Sequence, residues 1–114
     1  MDELTDIWWE GSSKEDLMSF PKDAMHIMGY QLHLLQKGEM PGDWKPLKNL
    51  GKGINGVYEI RISVDTNIYR TAYVTKFADV VAVLHCWQKK TQATATADIN
   101  KIVERYKSAQ ERFK

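Results

Sequence analysis

The sequence predicts an α+β domain in which an N-terminal helical pair and a C-terminal helix pack on one face of an antiparallel sheet. Three observations support this class. The segments follow in the order strand, two helices, three strands, helix. Apolar and polar residues alternate in the middle of the chain, and apolar residues recur at helical spacing nearer both ends. A length of 114 residues fits one small domain, so we expect residues 1–114 to form a single unit.

The N-terminal part predicts a strand, a short helix and a longer helix. Residues 5–10 form a short aromatic stretch that stops at Gly11, as a strand does before a turn. The serines at 12 and 13 have capping-box spacing to the acids at 15 and 16, which predicts a short helix through residue 18. Pro21 suits the first position of the next helix, whose apolar residues recur at helical spacing until Gly38. Residues 39–56 hold four Gly and two Pro and predict an extended loop.

The rest of the chain predicts three strands and a helix. Residues 57–64 alternate, which places Glu59 and Arg61 on the face opposite the apolar side chains. After a turn at 65–67, residues 68–76 form the next strand. Residues 79–87 are the most apolar stretch and are expected at the centre of the sheet. A final helix begins near Thr96, a good N-cap residue.

Composition excludes several classes of protein. Hydrophobic residues make up 43% and charged residues 27%, which is typical of folded globular domains. No apolar run approaches the roughly 20 residues that span a bilayer, so we expect a cytoplasmic protein without membrane contact. The single Cys86 has no intrachain disulfide partner, and three scattered His lack zinc-site spacing. We therefore expect no metal and no cofactor.

The charge is distributed unevenly along the chain. Residues 1–43 carry three bases and nine acids, a net charge of −6, whereas residues 44–114 carry 13 bases and six acids, a net charge of +7. A basic block of this kind indicates a polyanion-binding surface, because each Lys or Arg that neutralises a phosphate releases counterions. A solvated basic face without a ligand is the alternative interpretation.

Two further patterns favour ordinary structural roles. Gly51, Gly53 and Gly56 match G-x-G-x-x-G, but a loop precedes them and a strand follows, whereas a dinucleotide site needs a strand before and a helix after. The residues at 26, 30, 33 and 37 (His, Tyr, His, Lys) recur along one side of the long helix. They form either a half-exposed boundary stripe or a binding edge.

The most informative group is a set of basic residues on the three C-terminal strands. Its members are Arg61, Arg70, His85, Lys89 and Lys90. Three adjacent antiparallel strands would bring them into one basic patch. Cleavage of RNA without a metal needs a base for the 2′-hydroxyl, positive charge on the pentacovalent phosphate and an acid for the leaving 5′-oxygen. His85 suits proton transfer near neutral pH, and the Arg and Lys side chains supply the charge. The alternative is a core histidine with surface ion pairs.

At these residues the chain resembles the phage-derived, HigB-like branch of the RelE/ParE toxin superfamily. The motifs EIR at 59–61, YR at 69–70 and LHCWQKK at 84–90 carry most of the resemblance. The matching segments run in order: WEGSS at 9–13, FP at 20–21, GYQLHLLQKGEMP at 29–41, WKPL at 44–47, VYEIRI at 57–62, YRTAYV at 69–74, VLHCWQKKT at 83–91 and DINKIVERYK at 98–107.

The resemblance implies a RelE-like fold and a toxin of a type II toxin-antitoxin system. Such toxins are ribosome-dependent mRNA endoribonucleases that need no metal and stop translation. A cognate helix-turn-helix antitoxin holds them inactive and provides the only contact with DNA. The partners implied are therefore the antitoxin, the ribosome and mRNA. Two alternatives stay open: a toxin of the same fold that acts on a protein such as DNA gyrase, and a relative that only binds.

The resemblance also implies roles for individual residues. Arg61 and Arg70 would contact the phosphate or the transition state, His85 would transfer a proton, and Lys89 would be its cationic partner. The implied RNA contacts are Lys45, Lys48, Lys52, Lys90, Lys101 and Arg105. The chain departs from the family pattern at residues 92–97, which read QATATA where such sequences tend to carry Pro and extra bases. We expect fewer phosphate contacts from that segment.

Overall fold

A computed structural model describes residues 3–89 and 94–114 and confirms the α+β class. A five-stranded sheet carries two helices near the N-terminus and one at the C-terminus. The elements are β1 (Asp6–Trp9), α1 (Ser13–Met18), α2 (Lys22–Gln36), β2 (Trp44–Pro46), β3 (Tyr58–Val64), β4 (Asn67–Val74), β5 (Val80–Lys89) and α3 (Thr96–Arg112).

The sheet is mixed, so the prediction of a purely antiparallel sheet is wrong at one edge. The strand order is β1-β5-β4-β3-β2, with β1 parallel to β5 and all other pairs antiparallel. Only short hairpin connections force strands to be antiparallel, whereas β1 reaches β5 after the chain has passed through two helices and three strands. Because β1 covers the outer edge of β5, the central strand is β4 and not residues 79–87.

The strand β2 lies within the segment predicted as an extended loop. Trp44 to Pro46 pair with residues 58–60 of β3, and the amide of Leu47 donates to the carbonyl of Val57 at 2.9 Å. Three residues are too few for an alternating pattern, and Pro46 is tolerated because β2 is an edge strand. This short strand brings Lys45 beside Glu59.

The helices lie on both faces of the sheet, so the prediction that they share one face is wrong. Val81 and Val83 of β5 pack in the core formed with α1 and α2, while Ala82 and Leu84 pack in the core formed with α3. A continuous apolar run such as β5 is typical of a strand covered on both sides. We call the two sides the α2 face and the α3 face.

A β-bulge in β5 determines which face His85 occupies. Tyr73 pairs with Val83 and Ala72 pairs with His85, which leaves Leu84 as the extra residue. Such a bulge reverses the alternation of the residues that follow it. As a result His85 and the later Trp87 lie on the α3 face, which they would not do in a regular strand.

The predicted turn at 65–67 is a tight hairpin between β3 and β4. Asp65 and Thr66 have φ values of 50° and 67°, as a two-residue turn of the type I′ class requires. The long helix α2 stops before Gly38, whose φ is 81°. No helix within residues 3–89 and 94–114 has both the length and the apolar character that crossing a bilayer requires.

Candidate functional site

The four residues predicted to be catalytic lie on the α3 face. Across the strands, Arg61 is paired with Arg70, and Arg70 with Trp87. His85 and Lys89 follow on β5, two residues to either side of Trp87. The structure therefore brings Arg61, Arg70, His85 and Lys89 to one face, as predicted, but divides them into two groups with Trp87 between them. Lys90 lies outside the described residues.

The first group, the arginine cluster, consists of Lys45, Glu59, Arg61, Arg70 and Lys89. An ion pair joins Arg70 to Glu59, and both side chains are almost completely buried, at 1% and 0% exposure. The ammonium of Lys45 lies 3.7 Å from the other Glu59 oxygen. Arg61 is 38% exposed and reaches the carboxylate of the nearby loop residue 43 at 3.3 Å. Arg61 is therefore the more accessible of the two arginines.

The buried pair keeps unused hydrogen-bonding capacity. Within residues 3–89 and 94–114, Arg70 Nε and both carboxylate oxygens of Glu59 have no hydrogen-bond partner, so the attraction between them is mainly one of charge. A buried polar atom without a partner costs about 1–3 kcal/mol. The pair is thus costly for the fold, and a ligand oxygen that reached Arg70 would satisfy a donor that the protein leaves free.

The cluster has an excess of positive charge. Its four bases have two acidic partners, Glu59 inside the cluster and Asp43 at its edge. Desolvation and the repulsion of Arg70, Arg61 and Lys45 lower the pKa of Lys89, while Glu59 acts in the opposite direction. Lys89 therefore interacts electrostatically with the three other bases and with Glu59. It gives up its proton more readily than an isolated lysine.

The second group, the histidine network, surrounds His85. The His85 side chain is 4% exposed, with Nε2 2.7 Å from Asp98 Oδ1 and Nδ1 3.4 Å from Arg105 Nη1. Since an arginine only donates, Nδ1 accepts, and Nε2 carries the proton that is donated to Asp98. Burial lowers the pKa of His85, although Asp98 raises it. The fold thus favours a neutral imidazole in one tautomer.

Arg105 lies beside His85 and is itself held by several hydrogen bonds. Its guanidinium donates to the carbonyl of Leu84 and to Ser12 Oγ, both at 2.9 Å, and lies 3.7 Å from Asp16. Gly11 makes room for it: a β-carbon at this position would come within 2.5 Å of Arg105 Nε. The residue predicted to contact RNA therefore directs its hydrogen bonds into the protein and has only 14% of its side chain exposed.

A cavity of about 300 Å³ adjoins the histidine network, and its lining includes His85, Trp87, Asp98 and Lys101. The ring of Trp87 stacks on His85 with centroids 4.9 Å apart and planes 10° apart. Because Trp87 is also the cross-strand partner of Arg70, it is the physical link between the two groups. Trp87 is 7% exposed and belongs to the core under α3, so its ring holds His85 in place between the two groups.

The remaining predicted RNA contacts are spread around this face. Lys101 is exposed on α3, and Lys48 and Lys52 are exposed in the loop that follows β2. In the part of the chain that the structure describes, none of these three has an acidic partner within 4 Å. They are available to a polyanion, but the structure does not bring Lys48 and Lys52 into either group.

Sequence reasoning missed Glu59, Asp98 and Trp87. Glu59 had a detectable signal, because strand alternation places it on the same face as Arg61. The contact between Asp98 and His85 joins α3 to β5 and leaves no local pattern. Across residues 3–89 and 94–114, no group of three or more His, Cys, Asp or Glu side chains converges as metal ligands would.

The fold and site together define a small α+β protein with a cationic sheet face next to a buried histidine. A model of the phage-derived Gp49-like protein family matches residues 15–107. The chain therefore belongs to the phage-derived Gp49-like family, which is a RelE-like, toxin-like family. No curated protein matches the chain.

Proposed function

We propose that this protein is a HigB-like toxin of a type II toxin-antitoxin system that cleaves mRNA on the ribosome without a metal. Membership of a toxin-like family supports the general class. The observation that carries the specific activity is the meeting of the arginine cluster and the histidine network on one sheet face, joined by Trp87. Together they supply positive charge and a neutral base, and Trp87 fixes the spacing between them.

The proposed reaction begins with attack of the 2′-hydroxyl on the adjacent phosphate. His85 Nδ1 accepts the hydroxyl proton after the substrate has displaced its 3.4 Å contact with Arg105. Asp98 then stabilises the imidazolium through Nε2. Arg61 stabilises the pentacovalent phosphate, and Arg70 joins it when its ion pair with Glu59 opens. Lys89, with its lowered pKa, donates a proton to the leaving 5′-oxygen.

The products of this reaction are a 2′,3′-cyclic phosphate and a 5′-hydroxyl. Lys45, Lys48, Lys52, Lys90 and Lys101 would hold the RNA backbone on either side of the cut. Arg105 has a different role in this proposal. It is a positioning residue, because its contact with Nδ1 sets the tautomer of His85 before the substrate binds, and its other hydrogen bonds anchor it to Leu84 and Ser12.

A second candidate is a relative that acts by binding alone. The burial of Arg70 and Glu59 favours it, since a phosphate reaches Arg70 only if this ion pair opens. Binding to a protein target or to RNA needs the exposed lysines but not Arg70. The two candidates therefore differ in whether RNA is cut.

The test is cleavage of mRNA by translating ribosomes, with the product ends mapped. Arg61→Gln and His85→Gln are each expected to reduce cleavage about a hundredfold or more, the usual cost of losing a transition-state charge or a general base. Lys107→Gln, an exposed change on α3, is the control. We choose Arg61 because Arg70→Ala would leave the buried Glu59 with only the half-exposed Lys45 as a partner, which costs up to about 3–5 kcal/mol of stability.

The product ends discriminate among the mechanisms. A 2′,3′-cyclic phosphate that persists when a chelator strips zinc but spares ribosomal Mg²⁺ supports the proposal. A 3′-hydroxyl end, or activity restored only by an added transition metal, contradicts it. Intact mRNA with inhibited supercoiling would instead indicate DNA gyrase, and intact mRNA with normal supercoiling would indicate the binding relative.

We also propose that a cognate helix-turn-helix antitoxin neutralises this protein and that DNA contact occurs only through it. The toxin-like family supports a partner of this kind. Co-expression with the product of a short neighbouring gene of the helix-turn-helix class is expected to restore growth and to yield a stable complex. Continued arrest without complex formation would contradict this part of the proposal.

A further inference from the structure

A second and larger cavity lies on the α2 face, on the side of the sheet opposite the arginine cluster. Its volume is about 590 Å³, and it runs between the end of α2, the loop to β2 and the start of β5. The residues that matter for its chemistry are Trp44, Tyr58, Tyr73, Glu39 and Asp79. The proposed cleavage uses none of them.

Aromatic rings form one wall of this cavity. Trp44 meets Tyr58 edge to face with centroids 5.6 Å apart, and Tyr58 lies 5.8 Å from Tyr73. Trp44 is 39% exposed, so part of its ring is open to a ligand. The accessible part of such an aromatic wall attracts organic cations through its π faces.

The hydroxyl of Tyr73 is buried inside this wall without a partner. Tyr73 is 1% exposed, and its oxygen has no hydrogen bond to any of the described residues. Burial raises the pKa of Tyr73 to about 12, so the group remains a neutral phenol that can both donate and accept. Buried polar groups are nearly always hydrogen-bonded, and one that is not calls for a missing partner.

The charge of the cavity lining indicates that the missing partner of Tyr73 is positively charged. Two carboxylates, Glu39 and Asp79, line the cavity, and no Lys or Arg does. Glu39 has Lys37 at 3.1 Å, whereas Asp79 has no basic partner within 4 Å among the described residues. The first 43 residues, which supply part of the lining, carry a net charge of −6. Phosphates and carboxylates are therefore disfavoured here.

We propose that this cavity binds a basic side chain of a partner polypeptide, with a guanidinium group against the aromatic wall. The apolar stem would pack on Trp44 and Tyr58, and Asp79 would balance the charge. A shift of the half-buried Tyr58 ring would uncover the Tyr73 oxygen, to which the guanidinium would donate. A planar cation that donates several hydrogen bonds matches a ring-lined cavity with one free acceptor better than a compact ammonium does. The inference does not depend on RNA cleavage.

The test is an NMR titration of the full chain with Nα-acetylarginine amide, with Nα-acetylcitrulline amide as the neutral control of the same shape. The arginine probe is expected to bind with a dissociation constant on the order of 1 mM, as its size allows, and to shift the signals of Trp44 and Asp79. The citrulline probe is expected to bind at least about fivefold more weakly, because it lacks the charge. Equal binding of both probes, or shifts confined to the cavity beside His85, would overturn the proposal.

Matched tyrosine variants test the role of the orphan hydroxyl. Tyr73→Phe keeps the ring and is expected to weaken arginine binding about fivefold. Tyr106→Phe removes another buried hydroxyl that has no described partner but belongs to the core under α3, and should leave binding unchanged. Asp79→Asn should weaken binding of the arginine probe and make that binding less dependent on salt. If Tyr73→Phe and Tyr106→Phe bind alike, the proposed role of Tyr73 is wrong.

Discussion

At the scale of single residues, the site depends on space as much as on charge. Gly11 has a φ of 58° and faces Arg105 Nε closely enough that no β-carbon fits between them. Two features therefore favour glycine at this position: the positive φ and the close contact with Arg105. Arg105 in turn contacts His85. Gly11, which is far from the predicted patch in sequence, therefore influences the geometry of the proposed base through Arg105.

We predict that Gly11→Ala lowers the free energy of unfolding by about 1–3 kcal/mol, because of positive φ and the displaced guanidinium. Gly38→Ala is the matched control: its φ is also positive, at 81°, but a β-carbon there meets no atom within 4 Å. Chemical denaturation compares the two variants. Equal destabilisation would show that the contact with Arg105 contributes nothing.

The buried imidazole makes stability depend on pH. Because the pKa of His85 is lowered in the folded state, the unfolded chain binds more protons at this group below its ordinary pKa of about 6.5. The neutral His85 therefore contributes to the free energy of unfolding above about pH 6.5, and this contribution is lost as the pH falls towards the lowered pKa. The charges that face the ring are Asp98, Arg105, Lys101 and, at 4.0 Å, Asp16.

We predict that the free energy of unfolding falls between pH 7 and pH 5 more steeply in the natural protein than in His85→Gln. Urea unfolding at several pH values measures this difference in slope, which is independent of any RNA cleavage. His33→Gln, a change at an exposed position on α2, is the control. Equal slopes in the natural protein and His85→Gln would contradict the assigned burial and tautomer.

At the scale of elements, the hairpin between β3 and β4 contains a conflict between its backbone and its sequence. The hairpin turn was detected from its Asp-Thr-Asn sequence, yet Thr66 is a poor residue for it. A β-branched side chain at a φ of 67° is strained, and Thr66 is exposed, so no packing compensates for the strain. The sheet tolerates this because β3 and β4 are paired along seven positions.

We therefore predict that Thr66→Gly stabilises the protein by about 0.5–1 kcal/mol, since glycine adopts positive φ without strain. Ser63→Gly, an exposed change in the regular part of β3, is expected to destabilise by a similar amount. Thermal or urea unfolding measures both. A loss of stability in Thr66→Gly would mean that threonine makes a contribution that its exposure does not indicate.

At the scale of the whole molecule, the two faces of the sheet have opposite electrostatic character. The α3 face carries the arginine cluster, and the cavity on the α2 face is lined by acids. This explains how a chain with a net charge of +1 can carry a strongly basic patch on one face. It also separates the proposed RNA site from the proposed polypeptide site, so that both can be occupied together.

We predict that binding to a single-stranded RNA oligonucleotide weakens with salt. The three accessible bases of the cluster, Lys45, Arg61 and Lys89, contribute about −2 to the slope of log K against log salt, and the other proposed lysine contacts make the total slope more negative. The double variant Lys45→Gln/Lys89→Gln should make the slope less negative by about 1.4. Lys107→Gln/Lys114→Gln, with two exposed lysines of the C-terminal region, is the control, and fluorescence anisotropy is the measurement. A slope that the first double variant leaves unchanged would exclude the cluster as the RNA surface.

Much of this protein was determined by its sequence alone. The α+β class, the α2 and α3 helices, the hairpin and the shared face of Glu59 and Arg61 follow from patterns within a few residues, because side-chain periodicity reports local conformation. The tertiary structure alone decided the parallel pairing of β1, the bulge that turns His85 to α3, and the burial of Arg70 against Glu59. These features depend on which distant segments meet. A local sequence pattern indicates that a side chain needs a partner, but the packing of the whole chain determines which residue that partner is.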